Sequence, residues 1–181
     1  TGDSSSRSAG DVMVKVGTSQ GSDKSGGSLT MASGTSLSSD GGEATMLAGS
    51  SMNGSGGDLT LSSGSGTASG GSVMVTAAVG ESINGGGISL LSGAGSLTGG
   101  SIQMVSGSGT NDVGGSVEIQ SGASAAMSSG DVSVSSATSD AASGTVQVST
   151  GDSTSGESGQ LIIETGDSSS RSAGDVMVKV G

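Results

Sequence analysis

The sequence predicts an all-β fold, a parallel β-solenoid (narrow β-helix) with coils of 14–17 residues, and three observations carry that prediction. The chain is periodic: from Gly2 onward it breaks into units beginning at Gly2, Gly17, Gly34, Gly49, Gly64, Ala78, Gly93, Gly107, Gly122, Ala137, Gly151 and Gly166. Each unit carries apolar residues two positions apart, the spacing that puts side chains on one face of a strand. Finally, Thr1–Gly17 recurs unchanged as Thr165–Gly181, even at freely variable positions such as Arg7/Arg171 and Lys15/Lys179. Eleven units therefore make a super-repeat over residues 1–164, which starts again at 165–181, and the chain reads as a single solenoid segment over 1–181.

Aligned, the units form columns. The first apolar column runs Val12, Leu29, Ala44, Leu59, Val73, Ile88, Ile102, Val117, Val132, Val146, Leu161 and Val176. Two residues later comes the second, Val14, Met31, Met46, Leu61, Val75, Leu90, Met104, Ile119, Val134, Val148, Ile163 and Val178. These are the expected core positions, about two aliphatic side chains per coil. The next position on that face is mostly small, as at Ser33, Ala48, Ser63, Ala77, Ser92, Ser106, Ser121 and Ser136, and small residues there let the chain turn close to its neighbour. A unit of this length is too short for a β-α-β crossover and carries no 3.6-residue apolar stripe. Parallel stacking is the arrangement that would bury each column continuously, advancing about 4.8 Å per coil.

Glycine corners precede each strand, from Gly26-Gly27 and Gly41-Gly42 through Gly114-Gly115, then Ser129-Gly130, Ser143-Gly144, Ser158-Gly159 and Ala9-Gly10. Glycine serves such corners through positive φ or close backbone approach. The opposite arm is looser, placing Leu37, Met52, Ala68, Ile83, Leu97, Val113, Met127 and Ala141 at drifting positions. Both ends are ordinary units without an atypical cap, so the ladder is expected to continue past them.

Composition sets the counterweight. Among 181 residues there are 38 Gly and no Pro, Cys, His or aromatic residue. Without aromatic rings the largest packing contributions are missing, and a thick core is not expected. Gly and Ser at this level otherwise belong to flexible linkers, and periodicity is what turns the expectation toward order. The net charge of −11 lies entirely within residues 1–164 and includes no basic patch, which argues against nucleic acid and anionic membranes. No apolar run approaches the roughly 20 residues of a membrane span.

The residues offer little chemistry. With neither His nor Cys, no serine has a positioned base, and the expectation is no enzyme and no catalytic residue. Glycine strings such as Gly93-Ala94-Gly95 lack the Lys-Ser/Thr and helix of a phosphate loop. No cofactor is expected except calcium, for which Asp11, Asp58, Asp131 and Asp175 follow corner glycines and are weak ligand candidates. Most corners instead carry Ser28, Ser72, Ser101 or Ser116, and a solvated acidic surface is the plainer reading. Thr30, Thr45 and Thr60 align as a short ice-binding array would, but the column continues with Met74, Ser89, Gln103 and Glu118. Outward Met13, Met74, Leu91, Val105 and Ile162 suggest lateral contact between copies. Asn53-Gly54-Ser55 is an N-glycosylation sequon, and the outward Ser and Thr hydroxyls offer sites for O-linked glycans.

Units such as Gly70-Gly71-Ser72-Val73-Met74-Val75 and Ser63-Gly64-Ser65-Gly66-Thr67 resemble the Gly/Ser/Thr-rich tandem repeats of very long secreted proteins of diatoms and related algae, and more loosely repetitive microbial adhesins. That resemblance implies an extracellular or cell-surface fibre serving adhesion, mucilage or a coat. The expected partner is the chain itself, end to end as a continuous or stacked solenoid, with covalent glycans. The alternative is a surface-binding solenoid for ice, mineral or calcium.

Overall fold

A computed structural model describes residues 3, 9–22, 24–81 and 84–181. The first repeat boundary at Gly2, the repeated Arg7 and the opposite-arm residue Ile83 lie outside them. Neither helix nor strand forms among the described residues. The all-β reading, the parallel β-solenoid or β-helix and the stacked ladder with open ends are therefore corrected: this is a coil-rich chain. The chain divides into two units, Thr1–Ser89 and Leu90–Gly181.

What replaces the ladder is a series of local closures. In seven successive repeats the corner amide donates to the carbonyl at the start of the same repeat: Gly42 to Gly34, Gly57 to Gly49, Gly71 to Gly64 and Gly86 to Ala78 in the first unit. In the second, Gly100 donates to Gly93, Gly115 to Gly107 and Gly130 to Gly122, and all seven bonds measure 2.8–2.9 Å. Each bond spans seven or eight residues, so it stays inside its repeat. A parallel ladder needs bonds between equivalent positions about fifteen residues apart, and no backbone bond of that span occurs among the described residues.

Every closed repeat has a small residue facing its corner. At Gly100 an added Cβ would stand 3.3 Å from Ser92 Cβ and 3.3 Å from Gly93 N, so the corner is a close approach between two backbones. Similar pairs join Gly42 to Ser33, Gly57 to Ala48, Gly71 to Ser63, Gly86 to Ala77, Gly115 to Ser106 and Gly130 to Ser121. Ser106 adds a bond from its hydroxyl to Gly115 O, 2.9 Å. Where the column carries a β-branched residue the bond is missing among the described residues: Val16 faces Gly27, Thr150 faces Gly159 and Thr165 faces Gly174. The branched methyls hold the corner off. The Gly144 corner, opposite Ser136, is also open, and nothing in the structure explains it. No described glycine has positive φ, which corrects half of the sequence reading of the corners: they need close approach, not left-handed backbone.

Burial follows the same scale. No described residue is buried, and Ala77 and Ser121, both in the small column, are the most covered. The apolar columns therefore line no core. First-column residues from Leu29 to Val176 are 50–58 % exposed, and the second column is 62–88 % exposed. The two columns keep their rank but stay in water. The total accessible area is 18103 Å² for a 16.6 kDa chain, against roughly 7,600 Å² for a compact protein of that mass and about 24,000 Å² for an unfolded one.

The physical reason lies in what a fifteen-residue repeat has to order. Gly loses the most backbone freedom and, like Ser, has little apolar area to bury, and two aliphatic side chains per repeat with no aromatic ring do not offset that loss. A closed loop of eight residues orders far less chain for its one bond.

Far-UV circular dichroism should show no sheet minimum and no cooperative melting. By amide exchange, Ser92→Val should speed exchange at Gly100 by about two- to tenfold, the range of one solvent-competed bond of about 0.5–1.5 kcal/mol, while Thr150→Ser should slow it at Gly159.

Candidate functional site

The most regular array of polar chemistry sits at the bends between the start of a repeat and its corner. Bends recur at residues 37–39, 52–54, 125–127, 154–156 and 169–171, among others. Six of them are fastened by a serine two residues into the repeat, whose hydroxyl oxygen accepts a backbone N–H. Ser36 accepts from Ser39 (3.0 Å), Ser51 from Gly54 (2.9 Å) and Ser124 from Met127 (2.9 Å). Ser139 accepts from Ala141 (3.2 Å), Ser153 from Gly156 (3.1 Å) and Ser168 from Arg171 (3.0 Å). Serine suits this role because its short side chain reaches its own backbone two or three residues on.

Four consecutive repeats take a different route. Gly66, Gly80, Gly95 and Gly109 occupy the serine position, and a Cβ on Gly95 would overlap the carbonyl oxygen of Thr98. The chain there folds back onto the space a side chain would fill. The sequence reading passed over this alternation of Ser-fastened and Gly-folded bends, although its signal is plain: the third residue of each repeat is Ser or Gly.

The sequence-derived candidates are distributed rather than gathered. Asp11, Asp58, Asp131 and Asp175 are exposed, one per repeat. Among the described residues no group of three or more His, Cys, Asp or Glu side chains comes together as a metal ion requires. Asp112 turns its carboxylate onto its neighbour, accepting from Val113 N at 2.8 Å. In the threonine column, Thr45 donates to Glu43 Oε1 at 2.8 Å, so its hydroxyl is engaged beside the strand position rather than presented in a row. Asn53 is exposed at a bend, with Gly54 N held by Ser51. Met13, Met74, Leu91, Val105 and Ile162 are exposed, but so is the second apolar column, so exposure does not set the outward positions apart. Leu37, Met52 and Leu97, at the bends, are exposed essentially in full, 96–106 %.

An open depression of about 320 Å³ lies between Met31–Ser33 and Glu43–Met46. It brings together Met31, Ala44 and Met46 from the apolar columns of adjacent repeats, with the Glu43 carboxylate at its rim. One acid without a second titratable partner gives it no acid–base pair. No helix among the described residues is long and apolar enough to cross a membrane. No protein-family model, curated protein or solved structure matches the chain.

Scattered carboxylates on open backbone should bind calcium loosely. Calcium titrated to about 1 mM, the range of weak extracellular sites, is expected to shift the amides of Asp11, Asp58, Asp131 and Asp175 together and without saturation by NMR. A saturable shift at one of them would instead reveal a built site.

Proposed function

We propose that the chain is a non-enzymatic structural segment of an extracellular or cell-surface fibre, mucilage or coat. The observation that carries this reading is the unchanged return of Thr1–Gly17 at Thr165–Gly181, because identity at unconstrained positions marks recently copied, repetitive material. Four further features support it. The repeats close on themselves and leave hydroxyls, carboxylates and backbone in water. The net charge of −11 draws counterions and water and keeps neighbouring copies apart. Abundant Ser and Thr offer attachment points for O-linked sugars, which would add to the bound water. With neither His nor Cys in the chain, the usual activated nucleophiles and bases are lacking.

The partner in this reading is a further copy of the same material, either along one polypeptide or between polypeptides. The half-exposed columns and outward Met13, Met74 and Leu91 are the surface where copies would touch once charge is screened. Calcium enters only as a loose counterion.

The test is the mass of the native polypeptide after denaturation and deglycosylation. A mass many times 16.6 kDa is expected if the super-repeat is tandem; a mass near one copy, together with a monomeric particle in solution, removes the fibre reading. Screening supplies a second check. Static light scattering should rise as salt passes about 0.1 M, where the Debye length falls to about 10 Å, because charge repulsion then no longer holds the copies apart.

A further inference from the structure

Two Asn-Gly steps occur in the chain, Asn53-Gly54 and Asn84-Gly85. Such a step is chemically exposed wherever the backbone is open, because glycine offers no side chain to hinder attack by its own nitrogen. Asn53 lies at an exposed bend inside the loop that Gly57 N closes onto Gly49 O at 2.8 Å. Asn84 lies at the corner of the next-but-one loop, beside Gly86, whose amide donates to Ala78 O at 2.9 Å. No packing shields either side chain, and both are exposed.

We infer that Asn53 is a site of spontaneous isoaspartate formation whose rate is set by the hydroxyl of Ser51. The reaction needs the Gly54 nitrogen to lose its proton and attack Asn53 Cγ. The Cγ–Nδ2 bond then breaks, Nδ2 leaves as ammonia with the proton, and a five-membered imide remains. Water opens that ring. Attack at the backbone carbonyl carbon gives isoaspartate, with the chain running through Cγ, and attack at Cγ gives ordinary aspartate. The sum is one water consumed and one ammonia released for each conversion, and no other reactant is required.

Ser51 acts on the first step. Gly54 N–H donates to Ser51 Oγ at 2.9 Å, which keeps the proton on the attacking nitrogen and turns the nitrogen toward the serine rather than toward Asn53 Cγ. Attack therefore has to wait until this bond opens, and the open fraction is small only by the modest factor that a solvent-exposed hydrogen bond supplies. Ser51 is thus a positioning residue, acting through the Gly54 amide. The product matters to the loop: isoaspartate lengthens the backbone between Gly49 and Gly57 and adds one negative charge to a chain already at −11.

The test is to age the full chain in mildly alkaline buffer and cut it with a glutamate-specific protease. Cleavage after Glu43, Glu81 and Glu118 separates Asn53, in residues 44–81, from Asn84, in residues 82–118. Isoaspartate at each position is then read by electron-transfer fragmentation, with Asn84 as the internal clock. Ser51→Ala is expected to raise the Asn53-to-Asn84 ratio roughly two- to tenfold. Ser51→Thr, which keeps the hydroxyl, should leave the ratio near that of the unaltered chain. Because no residue is buried among the described ones, neither variant has a core to disrupt. An unchanged or lower ratio in Ser51→Ala, or no isoaspartate at Asn53 in either protein, overturns the inference.

Discussion

The amide of a corner glycine meeting the carbonyl at the start of its own repeat is the interaction on which the rest of this chain depends. At 2.8–2.9 Å these seven bonds are short and well formed, yet each lies in water and contributes only modestly. Their geometry requires two backbones to approach without side chains between them. That requirement explains the pairing of a glycine such as Gly100 with a small residue such as Ser92, 3.3 Å from where its Cβ would be. The same requirement explains why Val16, Thr150 and Thr165 stand at open corners.

Local satisfaction of polar groups also explains why no sheet forms among the described residues. A parallel ladder and a closed loop compete for the same corner amides and carbonyls. The loop reaches its partner over seven or eight residues, whereas the ladder must order a whole repeat first. Bend serines tilt the balance further, since the hydroxyls of Ser36, Ser51 and Ser124 occupy amides that would otherwise seek a neighbouring strand. In an ordinary solenoid the buried columns would reverse this preference. Here Val146, among the best covered of the first column, is still 50 % exposed.

The repeat boundaries, the corner glycines and the small column were all legible in the sequence, because they depend on local sterics that residue type dictates. Ser92 and Gly100 were each visible as a small residue and a corner glycine, and the structure shows that the two meet. Assembly of the repeats was not legible. Alternating Val73 and Val75 states that two side chains share a face, but not that anything comes to cover it. The bend serines were visible as residues and missed as a pattern, since Ser is everywhere in this chain and only the bond from Gly54 or Met127 distinguishes Ser51 or Ser124 from its neighbours. Asp58 and Asp131 were visible as acids after corner glycines, but whether further ligands gather round them depends on how repeats assemble, and no group of three or more acids comes together among the described residues.

Closed and open repeats are not mixed at random along the chain. Those starting at Gly34 through Gly122 are closed, whereas those starting at Gly17, Ala137, Gly151 and Gly166 are open. Each closed loop holds back roughly 20 Å of contour that full extension would release. Under tension the open repeats yield first as simple entropic springs, and the closed ones then give way singly, each breaking one weak bond and re-forming it when the load is removed. The unbroken run of closed repeats thus divides the super-repeat into a compliant stretch and a stretch that gives up its length in steps.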